Sequence, residues 1–216
     1  YSHIPGLIVV APSNARDAKG MMLSAIFDPN PVVFLEHRWL HNSKSLIPEN
    51  DYRVEIGSSE VVRSGNDITI VSSSIMTVEA LRASKYLSDR HGIDVDLIDA
   101  RSIKPFDWST LFKSVSKTGR LLALDSGFSN CSFSSEICSR VASEMFNDLK
   151  SAPKKLGMPD QSEPTSFALT KGFHLGAKDI VEEALKIFQI DDTNIEKSFI
   201  SPVKHDVPGE WFSGPF

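Results

Sequence analysis

The sequence predicts an α/β chain. It reads as three αβα layers on a mostly parallel sheet with one antiparallel edge strand, preceded by a short βαβ unit. Three observations predict it. Short wholly apolar runs, such as Leu7-Ile8-Val9-Val10 and Val32-Val33-Phe34-Leu35, alternate with longer stretches of helical periodicity. The joints between them are short and carry Pro, Gly, Ser or Asp, and strands joined through helices pair in parallel with both faces covered.

The elements follow in order. Residues 7–10 form a buried strand, and Ser13 or Asn14 caps a helix with apolar positions Ala18, Met21, Met22, Ala25 and Ile26. Pro29 and Pro31 stop that helix, and 32–35 is the next strand. Residues 39–58 are polar, carry Pro48 and lack either periodicity, so they read as an extended linker. A strand at 60–63 turns through Ser64-Gly65-Asn66-Asp67 into a strand at 68–72, and the tight turn predicts that these two pair antiparallel. Ser73, Ser74 or Thr77 caps a helix running to Asp89, with Val78, Leu81, Ala83 and Leu87 inward and Gly92 closing it. A strand over 93–98, a helix over 107–117 capped by Asp107 and closed by Gly119, and the strand "LLALD" come next. Then follow a helix over 131–149, the short strand "PKKLGM" and a helix over "AKDIVEEALKIF". The predicted organisation is a partial unit at 1–42, a linker at 43–56, a complete layered domain at 57–190 and a polar tail at 191–216. In the tail, Trp211, Phe212 and Phe216 suggest a strap over a neighbouring surface, with a disordered end as the alternative.

Composition narrows the function. The chain of 216 residues is 41% hydrophobic and 24% charged, with a net charge of -5. That balance, without a basic stripe, gives no case for nucleic acid or an anionic membrane surface. The apolar runs are far shorter than the roughly 20 residues a membrane helix needs. Two cysteines make no disulfide scaffold, which points to a reducing cytosol.

Isolated motifs carry little chemistry. His37 and His41 have the spacing of half a zinc site, yet no third ligand stands nearby, and a subunit or interdomain contact fits better. Cys131 and Cys138 read as core cysteines, and the serines at 72–74 as helix caps. No glycine-rich phosphate loop occurs. In "ARSIKPFD", Arg101 follows a buried strand, at the end where open α/β sheets bind ligands. One reading places Arg101 on an anion. The other, which we favour, gives each residue a purely local role, with Arg101 on loop carbonyls or on Asp99 or Asp125, Pro105 fixing the loop, and Asp107 capping the helix.

Longer motifs point to a family. "HIPGLIVVAPSNARDAKGMMLSAIFDPNPVVFLEH" resembles the end of the pyrimidine-binding domain of the beta subunit of thiamine-diphosphate-dependent 2-oxo acid dehydrogenases. "VDLIDARSIKPFD" resembles the motif of their transketolase-type C-terminal domain, and "TGRLLALDSG", "SSEI" and "GMPD" follow in the family's order.

The resemblance implies an enzyme that decarboxylates pyruvate or a branched-chain 2-oxo acid and passes the acyl group to a lipoyl arm. Its cofactors would be thiamine diphosphate and magnesium. Its partners would be an alpha subunit, a second beta subunit and a lipoyl acyltransferase core. Its place would be the cytoplasm, or the mitochondrial matrix in a eukaryote. The family's cofactor-activating glutamate and a histidine that contacts reacting groups lie upstream of "PGLIVVAP" and have no counterpart here. Tyr1 is therefore expected to be a break within a longer protein, and the chain alone is expected to lack chemistry. The same resemblance suggests a potassium site at "AIFDPNP" through Ile26, Asp28 and Asn30, and interface roles for Arg101, Pro105, Asp107 and Glu136. One segment departs from the family: "DSGFSNCSFSSEI" has Ser126 where Glu is common, and Cys131 and Ser132 in place of glycines. A loop of different shape is expected there. A non-catalytic assembly module of the same fold and a transketolase-like sugar enzyme stand as alternatives.

Overall fold

The computed structural model describes residues 1–199 together with His205, Val207, Trp211 and Phe212. Among them are two sheets, one of three strands and one of five.

The first sheet begins as a βαβ unit. Strand β1 (Ile8–Val10) and strand β2 (Val32–Phe34) pair in parallel, with Ile8 opposite Val32, and helix α1 (Ala15–Ile26) crosses between them. Asn14 caps α1, its side chain accepting the Asp17 N–H at 2.9 Å, while Ser13 turns elsewhere. Of the apolar positions expected inward, Met21 is fully buried but Met22 and Ile26 are exposed. The difference arises from the segment read as a free linker, which lies on α1. Tyr52 and Val54 press against Gly20, and Ser24 donates to the Val54 carbonyl at 2.6 Å. Lys19 reaches the carbonyls of Pro48, Glu49 and Asn50. Residues Arg38–Asn42 form a 3₁₀ helix, with His37 as its cap.

The five-stranded sheet has the order β3-β5-β4-β7-β8. Its strands are β3 (Glu60–Arg63), β4 (Ile68–Ser72), β5 (Val95–Asp99), β7 (Leu121–Phe128) and β8 (Lys154–Met158). All pair in parallel except β3, the antiparallel edge. The expectation that β3 pairs with β4 is corrected: β3 lies against β5. Every residue of β4 and β5 is buried, whereas β3 is partly exposed, and such a strand is at home on an edge. The turn at 64–67 instead passes over the start of β5. The Gly65 N–H donates to the Asp96 carboxylate at 3.0 Å, and Asp67 exchanges hydrogen bonds with Asp94.

Helices cover both faces. On one side α2 (Ile75–His91) and α5 (Ala177–Phe188) pack on Ile68, Ile70, Val95 and Leu97. On the other, α3 (Trp108–Thr118) and α4 (Phe133–Glu144) pack on Val71, Ile98, Leu121 and Ala123. Gly92 and Gly119 close α2 and α3 in the left-handed conformation, as expected. The buried stripe of α2 is Met76, Ala80, Ala83 and Leu87, and Leu81 is exposed. Helix α4 ends at Glu144, and the expected continuation is a separate 3₁₀ turn at Phe146–Asp148, with Phe146 on the surface. A short helix α6 (Ile195–Ser198) follows α5.

One strand had no expectation. β6 (Ser102–Lys104) leaves the five-stranded sheet after β5 and pairs antiparallel with β1, completing the order β2-β1-β6. It places the Arg101 loop between the two sheets.

Gly65 tests the crossing turn. A Cβ there would lie 2.3 Å from the Val95 carbonyl carbon, a backbone atom that cannot step aside. The substitution Gly65→Ala is expected to lower unfolding stability by about 1–3 kcal/mol, the usual cost of overpacking, as measured by urea denaturation.

Candidate functional site

The predicted residues Arg101, Pro105 and Asp107 meet where the two sheets join. β5 ends at Asp99, and Arg101 then adopts φ 53, the left-handed region that an L side chain enters at a cost. Contacts on every side hold it there. Its N–H donates to Asp99 Oδ1 at 3.2 Å, and its carbonyl accepts the Ala11 N–H at 2.7 Å. The guanidinium donates through Nε and Nη2 to the Ser58 carbonyl, and through Nη1 to Glu60 at 2.9 Å and Asp17 at 3.5 Å. Asp17 and Asp99 are almost wholly buried, and Ser13 donates its hydroxyl to Asp99 Oδ2. The local reading of Arg101 matches these contacts, with Asp17 and Glu60 as ion-pair partners and Asp99 engaged through the backbone. Asp125 instead accepts the N–H groups of Gly127 and Ser134.

The flanking residues complete the joint. The Lys104–Pro105 peptide is cis. Gly57 has φ 89 and faces the Pro105 ring so closely that a Cβ there would lie 2.9 Å from it. Asp107 caps α3 as expected, accepting from Thr110, and also accepts the Ser59 N–H at 3.0 Å. Burial raises the Asp107 pKa, but the donors Thr110, Ser59 and Ser109 outweigh it and hold the carboxyl below its ordinary range. Burial dominates at Asp99, lifting its pKa to about 6 against the opposing hydrogen bonds from Ser13 and Arg101.

Other expected residues lie apart. Glu136 is exposed in the first turn of α4. Ile26 ends α1 on the surface, and Asp28 Oδ1 accepts from the Asn30 backbone and side chain at 2.8 and 2.9 Å. His41 faces Glu36 at 3.8 Å, and Cys138 is half-buried, its thiol pushed up to about 11. Among the described residues, no group of three or more His, Cys, Asp or Glu is placed to hold a metal ion. In the segment at 126–135, Cys131 itself adopts φ 50, the left-handed region that glycine enters more easily.

A cleft of about 290 Å³ lies at the carboxyl ends of β7 and β8, walled by His37, Trp39, Glu79, Arg82 and His174. Periodicity could not single out Glu79 or His174, which meet Trp211 and Trp39 from distant parts of the chain. Glu79 is buried and accepts the Ala177 N–H, Arg82 and the indole N–H of Trp211, the last at 2.8 Å. The expected strap is thus seated on this same chain at Trp211 and at Phe212, whose ring lies 6.2 Å from Trp39. Phe216 lies outside the described residues.

Comparison with known proteins agrees with this architecture. The family model for the transketolase C-terminal domain matches residues 57–180, and the chain belongs to that family. Within it, the chain is similar to beta subunits of 2-oxo acid dehydrogenases. It is 41% identical over 172 residues to the pyruvate dehydrogenase E1 component subunit beta of Rhizobium meliloti, covering 79% of this chain and 37% of that protein. It is 35% identical over 186 residues to the acetoin:2,6-dichlorophenolindophenol oxidoreductase subunit beta of Cupriavidus necator, covering 86% of this chain and 55% of that one. The chain spans about half the length of the curated relatives it matches. A solved structure described as a split-gene transketolase, an inactive beta4 tetramer, superposes with a TM-score of 0.70 at 25% identity, over 88% of this chain and 60% of that one. Transketolase of Pichia stipitis, at 16% identity and a TM-score of 0.54, shares the fold.

Two predictions test the joint. Arg101→Ala leaves the buried Asp17, and Glu60 beside it, without their cation and is expected to cost about 3–5 kcal/mol of stability, read by denaturant titration. Asp99 supplies a pH signature. Its folded pKa of about 6 exceeds its ordinary 3.8, so the folded state holds the proton more tightly. The stability this group contributes is full below 3.8 and is lost as pH rises through about 6. In melts across that window, Asp99→Asn is expected to flatten the decline.

Proposed function

We propose that this chain is the C-terminal portion of the beta subunit of a thiamine-diphosphate-dependent 2-oxo acid dehydrogenase, and that it supplies assembly surface rather than reacting groups. The similarity to such beta subunits over most of the chain carries this reading. The intact enzyme would decarboxylate pyruvate or a branched-chain 2-oxo acid. It would work with an alpha subunit, a second beta subunit and a lipoyl acyltransferase core, in the cytoplasm or the mitochondrial matrix. No helix among the described residues is long and apolar enough to cross a membrane.

The bound cofactor would supply the carbanion-stabilising chemistry. The described residues gather no acidic cluster to hold its magnesium, so that grip would come from elsewhere in the enzyme. This chain's contribution is positional. The Arg101 joint fixes one sheet against the other, and exposed Ile4, Ile26 and Phe27 give its first unit apolar surface suited to cover by the rest of the assembly. The turn at Ile26, Asp28 and Asn30 is proposed as a potassium site, since a helix C-terminus offers carbonyl oxygens and negative dipole charge. Arg101, Pro105, Asp107 and Glu136 are proposed to support the subunit interface, the first three by holding the joint rigid.

A non-catalytic assembly module is the second reading. It is favoured by the similar fold of a beta-chain tetramer described as inactive. One experiment addresses the first reading. With thiamine diphosphate, magnesium and pyruvate, the 216-residue chain alone is expected to release no carbon dioxide, and a complete beta subunit carrying it is expected to do so once combined with an alpha subunit. Turnover by the chain alone would overturn the assembly role, and an inert combined enzyme, tried also with branched-chain 2-oxo acids, would favour the module.

A further inference from the structure

We propose that the cleft between the first turns of α2 and α5 binds a small oxyanion, a carboxylate or a phosphate, with the His37 ring as its principal donor. The place is set by topology. From β4 the chain goes to β5 on one side and later to β7 on the other, so the crevice beyond β4 and β7 is the switch point of the sheet. Ligands of open α/β sheets collect at such crevices. Ile75 and Met76 from the start of α2, Ser126 near the end of β7 and Met158 of β8 all line this cleft.

The charge balance selects the ligand. Arg82 pairs with Glu79 at 2.8 Å, Lys178 with Glu196 at 3.1 Å and Glu182 at 3.5 Å, and His174 with Glu163 at 3.1 Å. Asp179 accepts the Gly176 N–H, and His205 contacts Thr170 and the Phe167 carbonyl. Glu79, a buried acid lining the cleft, is answered by three donors. His37 differs from His174 in that its ring is engaged by a backbone N–H rather than by a carboxylate. Its Nδ1 accepts the Trp39 N–H at 3.3 Å, which leaves the proton of the neutral ring on Nε2 as a donor. Burial, His174 and His41, in that order, lower its pKa. An oxyanion beside the ring would oppose these with a negative charge, so binding would draw a proton onto His37. His37 also lines neighbouring cavities of about 270 and 340 Å³.

Inorganic phosphate and acetate, titrated separately against the 216-residue chain at constant ionic strength, test this. The readouts are histidine ring NMR signals and the fluorescence of Trp39 and Trp211. A saturable shift at His37 is expected, tighter at pH 6 than at pH 8. The variant His37→Gln, checked for an unchanged melting temperature, is expected to bind roughly tenfold more weakly, the worth of one charge-assisted hydrogen bond. Saturation by phosphate alone assigns a phosphate ligand, by acetate alone a carboxylate, and by both the shared chemistry. Absence of saturation with either, or a His37 signal that does not move, overturns the proposal. The measurement in the unsubstituted chain decides the matter even if the variant fails to fold.

Discussion

A buried arginine among carboxylates holds this molecule together. Asp17 comes from α1 of the first unit, Asp99 from the central part of the second sheet, and Glu60 from its edge strand. Asp17 would be costly to bury without an opposite charge, and the guanidinium reaches it, the half-exposed Glu60 and the Ser58 carbonyl at once, while the Arg101 N–H serves Asp99. The left-handed backbone at Arg101 is the geometric consequence. It lets the chain leave β5, present the guanidinium inward, and enter β6 against the other sheet within a few residues. A lysine could carry the charge but could not also hold the Ser58 carbonyl through two nitrogens.

The same joint explains why Asp107 and Pro105 matter beyond their local roles. Asp107 caps a helix, as its position foretells, yet its second oxygen also takes the Ser59 N–H from the segment leading into β3. Pro105 packs against Gly57 in that segment. The stretch before β3 is thus held from below by Arg101 and from the side by the α3 cap. A conspicuous sequence motif serves here as a clasp between chain segments rather than as a reactive centre.

What the sequence revealed was what local chemistry controls. The caps at Asn14 and Asp107 and the glycines ending α2 and α3 are decided within a turn of chain, and the fully apolar strands announce their burial. Non-local choices stayed hidden. Helix α2 offers two apolar stripes, and the one carrying Ala80 and Ala83 is selected because α5 packs there. The pairing of β3 depends on a crossing turn with no signal except Gly65. Strand β6 is three residues flanked by Arg101 and Pro105, with no alternation to mark it. The cleft at His37 draws on residues from widely separated parts of the chain, and only Trp211 and Phe212 in the tail hinted that something would be covered.

Strand β6 has an implication for anyone who would divide the protein. The first sheet borrows one of its three strands from beyond the segment at 43–56. Cleavage within that segment would leave the leading piece as a two-stranded parallel pair, too small to persist in water, and would bare an unsatisfied edge on β6. The two halves are better understood as interlocked than as tethered. Fusions, truncations and swaps between relatives should therefore take their seams outside the span from β1 to β6.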